Sequence, residues 1–101
     1  MEQIERIRQM EAALDGASAA LKALEDALDG YSAARKDLGI LAAYYDGGDW
    51  RQDFEDDEAG RLPKDLKRGV LSEDALYDLL TDDRRLLIRM LETAADALRQ
   101  G

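Results

Sequence analysis

IRQMEAALDGASAALKALEDALDGYSAARKDLGILAAYY, Ile7 to Tyr45, keeps one hydrophobic phase from end to end. Ile7, Leu14, Leu21 and Leu28 fall seven apart, and Met10, Ala17, Leu24, Tyr31, Leu38 and Tyr45 repeat that period three residues later. This is the seam of a heptad helix. A third row, Ala13, Ala20, Ala27, Ala34 and Leu41, widens the stripe with mostly small side chains that suit packing against more than one neighbouring helix. Within the stretch, ALDGASAA (Ala13 to Ala20) returns as ALDGYSAA (Ala27 to Ala34) two heptads on. Gly16 and Gly30 each cost about 1 kcal/mol in a helix interior, and a Ser two residues after each is able to cap a new helix. The hydrophobic rows nevertheless run through both glycines without resetting, which a turn would almost always prevent. The pattern predicts one helix over about 2–45, roughly 65 Å long at 1.5 Å per residue.

From Asp46 the chain changes character. Asp46, Gly47, Gly48 and Asp49 are turn chemistry. Residues 46–60 carry a net charge of -6 and residues 61–71 a net +3, so an acidic block abuts a basic one. Pro63 and Gly69 bracket Lys64 to Arg68 in the order expected of a short helix, with Lys67 and Arg68 favourable at its carboxyl end. A second start signal follows: Ser72 as N-cap, Glu73 and Asp74 in the first turn, and Leu71 placed to staple onto Leu76. Leu76, Leu80, Leu87, Leu91, Ala94 and Leu98 then continue an apolar face, with Thr81, Asp82 and Asp83 as an optional restart.

The expected fold is all-α, a single helical domain over 1–101. A long N-terminal helix packs antiparallel on a C-terminal helix or helices, 72–99, across a long and partly helical connector, 46–71, as a helical hairpin or small bundle. The three-row stripe is wider than one short helix covers, which predicts a coiled-coil type of self-association and a homodimer.

Composition narrows the function. The 101 residues include 23 acidic and 14 basic side chains, a net charge of -9, and neither His nor Cys. That removes thiol nucleophiles, disulfides, zinc knuckles and the usual general base. Only seven residues are Val, Ile or Thr, too few for a sheet-based fold. An acidic chain has no electrostatic footprint for nucleic acid. No signal core or membrane-length apolar run is present, so the expectation is a soluble, cytoplasmic protein with no membrane or nucleic-acid partner.

Five of the six aromatics, Tyr31, Tyr44, Tyr45, Trp50 and Phe54, lie within 24 residues. They read either as a satellite core pinning the connector or as anchors for a partner, where Tyr and Trp are enriched. Asp49, Asp53, Glu55, Asp56, Asp57 and Glu58 invite a cation. A calcium loop starting at Asp53 would need Gly and Glu at its sixth and twelfth positions, which here are Glu58 and Lys64, so that match fails. The run reads instead as a solvated face, or as one paired with Arg61, Lys64, Lys67 and Arg68. No nucleophile elbow or phosphate loop is present, and no catalytic residue, metal ligand or cofactor is expected.

Tyr44, Tyr45 and the stretch WRQDFEDDEAGRLPKDLKRGVLSEDALYDLL, Trp50 to Leu80, resemble a family of small bacterial proteins known as domain of unknown function 4298. The matching pattern is a Tyr pair, then Trp, an acidic run ending in Gly60, Leu62 with Pro63, Asp65 with Leu66, the run Gly69 to Asp74, and Tyr77. Relatives often carry a small hydroxyl residue two positions after the Tyr pair, where this chain has Gly47, so no role for that group is carried over. The resemblance implies a bacterial, cytosolic helical protein, brings no activity with it, and singles out the connector as the family's signature.

The functional expectation is therefore a protein-protein interaction module that recognises another protein through the connector, 44–74. Its partner-binding residues are expected to be Tyr44, Tyr45, Trp50, Asp53, Phe54, Glu55, Asp57, Glu58, Leu62, Pro63, Lys67, Arg68 and Gly69, with Tyr77 beyond. The alternative is a small-ligand or divalent-cation binding module. A carboxylate-based enzyme and an acidic phosphate-mimic inhibitor stand behind both.

Overall fold

The first helix, α1, spans Gln3–Asp46 without a break, 44 residues and about 66 Å; the structure is a computed structural model that describes residues 2–101. Glu2 caps it: its carboxylate accepts the Ile4 N–H at 2.8 Å and the Glu5 N–H at 3.4 Å, supplying acceptors to first-turn donors that have none inside the helix. The helix passes Gly16 and Gly30 as the unbroken phase predicts, and no neighbouring group lies within 4 Å of where a Cβ would sit at either.

The turn after α1 is shorter than four turn-forming residues suggest. Gly47 alone is extended (φ -80°, ψ 177°), and Gly48 and Asp49 already belong to the next helix, α2, Gly48–Glu58. A Cβ on Gly47 would lie 3.2 Å from the carbonyl oxygen of Ala43, the same oxygen that accepts the Gly47 N–H at 3.0 Å. The acidic run is thus helical, with Asp49 in its first turn.

The end of α2 is closed by a left-handed glycine, Gly60, at φ 73°. Gly60 N–H donates to Asp57 O and Arg61 N–H to Asp56 O, the paired bonds of a Schellman cap. Where such caps commonly add an apolar contact, this one has an ion pair, Arg61 Nη1 to Asp56 Oδ1 at 3.0 Å.

The short helix expected between Pro63 and Gly69 does not form. Lys64 to Arg68 is a series of turns, closed by Leu66 N–H to Pro63 O at 3.2 Å. Its carbonyls are taken by the Arg68 guanidinium: Nη2 reaches Pro63 O at 2.6 Å and Nε reaches Leu66 O at 3.3 Å. An end-on cation replaces the helical ladder over a stretch too short to nucleate one. A 3₁₀ turn over Gly69–Leu71 follows, touching both α2 and the last helix.

That last helix, α3, runs over Ala75–Gln100 as one piece, with no restart at Thr81. Ser72 is extended, and its Oγ accepts the Ala75 N–H at 3.2 Å, the bond of an N-cap to the third residue on. Leu71 and Leu76, the pair a staple would bring together, are the two most buried side chains, 6% and 3% exposed. Partly covered positions continue at Leu80, Asp83, Leu87 and Met90, after which Leu91 and Leu98 face solvent.

The fold is all-α, with no strand among the described residues. The chain divides into two compact units, Met1–Asp37 and Leu38–Gly101, whose boundary falls inside α1. The first is a helix whose side chains are exposed from Glu2 through Gly30. The second is a helical hairpin: the carboxyl end of α1 and α3 are its arms, and α2 with the 3₁₀ turn forms its closed end.

Ser72→Ala removes the cap acceptor while leaving α3 otherwise intact, and is expected to cost about 1 kcal/mol. Thermal melting measures it, and an unchanged melting temperature refutes the cap.

Candidate functional site

The closed end of the hairpin is built on Trp50, one turn into α2. Its indole stacks on Phe54 one turn later, with ring centroids 5.2 Å apart and planes 19° from parallel. Tyr45, from the last turn of α1, also meets it edge-on, at 5.0 Å and 65°. The indole N–H donates to the carbonyl oxygen of Val70 at 2.9 Å. One side chain therefore ties together the end of α1, the body of α2 and the turn that leads into α3. Aromatic pairs in these geometries add about 0.5–1.5 kcal/mol beyond their burial.

Two polar clamps flank the stack. Tyr44 O–H donates to Asp53 Oδ2 at 2.6 Å, across the single-residue turn. Burial, then the hydrogen bond to Asp53, then the nearby charges of Asp53 and Asp49 push the Tyr44 hydroxyl up from 10.0 to about 12. The second clamp is Arg68 Nη1 to Asp57 Oδ1, also at 2.6 Å, with both side chains largely covered. With its bonds to Pro63 and Leu66, this guanidinium has three hydrogen-bonded acceptors, and a covered, multiply bonded ion pair is costly to break. Asp56 is held below the usual carboxylate range by its hydrogen bonds from Arg61 and then Gln52.

Of the residues expected to bind a partner, Tyr44, Tyr45, Trp50, Asp53, Phe54, Asp57 and Arg68 are gathered at this end, and their contacts are internal. Leu62 is half-buried. Glu55, Glu58, Pro63, Lys67 and Gly69 are exposed on the same connector, and Tyr77 stands 59% exposed on the first turn of α3.

An open groove of about 590 Å³ lies beside the clamp, lined by Phe54, Asp57, Glu58, Arg68 and the run Leu71 to Asp74. Asp57 is neutralised by Arg68, whereas Glu58, Glu73 and Asp74 enter no ion pair among the described residues. Glu73 and Asp74 read in the sequence only as the start of a helix. Their place in the groove depends on the fold of the 3₁₀ turn against α2, for which no local signal exists. Among the described residues no group of three or more carboxylates is disposed to hold a metal ion.

Because Tyr44 resists ionisation in the folded chain, its contribution to stability is complete below about pH 10 and is lost as pH rises towards 12. A phenolate absorbance titration should show a phase that completes only near pH 12, and Tyr44→Phe should abolish that phase and flatten the alkaline loss of stability. A titration curve whose alkaline end is unchanged in Tyr44→Phe would refute the Tyr44–Asp53 bond.

No helix here is long and apolar enough to cross a membrane. No curated protein and no solved structure matches the chain. A family model matches it over residues 7–93, taking in most of α1, the whole closed end and most of α3. The chain belongs to the family described as Domain of unknown function (DUF4298).

Proposed function

We propose that the chain is a protein-protein interaction module whose connector presents an acidic groove to a basic, partly apolar segment of another protein. The observation that carries this reading is the groove itself: an open recess of about 590 Å³ combines Phe54 and Leu71 with three carboxylates, Glu58, Glu73 and Asp74, that enter no ion pair among the described residues. Apolar side chains set among charges are how a modest patch gains both affinity and selectivity. The aromatic stack and the Arg68 clamp hold the groove's walls in place, so a partner meets a site that is already ordered. Tyr77 and Leu66 are large and exposed on the segments that adjoin the groove's lining in sequence.

The internal engagement of Trp50, Tyr44 and Arg68 makes them positioning residues, and the carboxylates and exposed side chains around them the contact surface. Cysteine-free composition suits a reducing compartment, and a cytoplasmic setting is part of this reading.

A peptide array graded in basic and apolar content tests the reading. Binding is expected to rise with both properties and to weaken about tenfold when Glu58→Gln, Glu73→Gln and Asp74→Asn are combined at unchanged melting temperature. Binding indifferent to peptide charge, or retained by the triple variant, refutes it.

A further inference from the structure

Most of the hydrophobic period of α1 has nothing on it. Ile7, Leu14, Leu21 and Leu28 in one row and Met10 and Leu24 in the next are between 43% and 67% exposed. Single exposed Leu or Ile side chains are ordinary on protein surfaces, but a row repeated over four heptads is not.

The charges beside the rows indicate what covers them. With Ile7, Leu14, Leu21 and Leu28 as the first seam position and Met10 to Tyr31 as the second, the flanking positions hold Arg6, Ala13, Ala20 and Ala27 on one side and Glu11, Ser18 and Glu25 on the other. In two parallel helices in register, each flanking residue on the first side faces the residue five further along on the partner. Arg6 then meets Glu11 of the partner subunit, twice by symmetry, and Ala20 meets Glu25 of the partner subunit. No like charges oppose one another. An antiparallel pair of the same overlap sets Arg6 against Ala27 and Glu11 against Ser18, which forfeits the only charge pairing available.

We propose that a second copy of the chain covers this face, the two α1 helices forming a parallel, in-register coiled coil over Ile4 to Leu28. The proposal is independent of the acidic groove, which lies in the other compact unit. Two chains joined in this way carry two grooves, so the same module would engage its partner bivalently.

Sedimentation of the full chain with a single-thiol variant tests both the occupant and its orientation. The chain has no Cys, so Met10→Cys introduces one thiol at a seam position. A dimer at roughly tens of micromolar is expected, and Met10→Cys should cross-link quantitatively under mild oxidation. In an antiparallel pair those positions lie about 16 Å apart along the axis, beyond the reach of a disulfide. Leu21→Glu, at an exposed position that leaves the 38–101 unit untouched, should yield a folded monomer. Arg6→Glu should weaken the dimer about fivefold, and adding Glu11→Arg should restore it. A monomeric chain, a dimer that persists in Leu21→Glu, or a dimer that does not cross-link at Met10→Cys each overturns the proposal. The triple groove variant should leave the dimer unchanged, so failure here and failure of the groove reading are separate results.

Discussion

The hydrogen bond from the Trp50 indole to the carbonyl oxygen of Val70 is the contact on which the closed end of the hairpin depends. Helices α1 and α2 are joined by one extended residue, and sixteen residues separate α2 from α3. Little regular structure links them. The indole faces Phe54 in its own helix and Tyr45 in the one before, and its polar edge takes a backbone acceptor at the door of α3. Leu71 and Leu76, the most buried side chains, flank that door. With so small a core, a large aromatic that also satisfies a carbonyl supplies burial and register together.

The charges serve the same end by different means. A segment of turns leaves carbonyls without partners, and unpaired backbone groups are expensive where they are covered. Arg68 answers two of them and also donates to Asp57. Arg61 closes the cap of α2 on Asp56, and Asp53 takes the Tyr44 hydroxyl. The acidic run is thus divided by function. Asp53, Asp56 and Asp57 are structural acceptors, and Glu58 with Glu73 and Asp74 gives the groove its sign.

Helix α1 joins two environments in one continuous element. Its last two turns carry Leu38, Leu41, Ala42, Tyr44 and Tyr45, all partly covered within the hairpin, while the rows upstream of Gly30 are in solvent. An amphipathic face that long gains little from helix propensity alone and depends on burial for its stability. Among the described residues nothing lies within 4 Å of a Cβ position at Gly16 or Gly30, and burial of this part of α1 is what the proposed second copy would supply.

The unbroken helix, the α3 start at Ser72 and the all-α class were legible in the sequence because each rests on local physics: a seven-residue period, a cap, and a shortage of β-branched residues. The helix over Gly48–Glu58 was not. Its covered face, Trp50, Asp53, Phe54, Asp56 and Asp57, does follow helical spacing, but three of the five are carboxylates, and carboxylates turn inward only when a partner meets them. Those partners, Tyr44, Arg61 and Arg68, are nine, five and eleven residues away. For the same reason the Pro63 to Gly69 segment reads as a helix by its end signals and folds as turns: the guanidinium that claims its carbonyls is positioned by Asp57 on α2. Period and capping are properties of neighbours along the chain, and the sequence alone determined them. Which carboxylates are paired within the fold and which are left at its surface is a property of neighbours in space, and only the tertiary structure decided it.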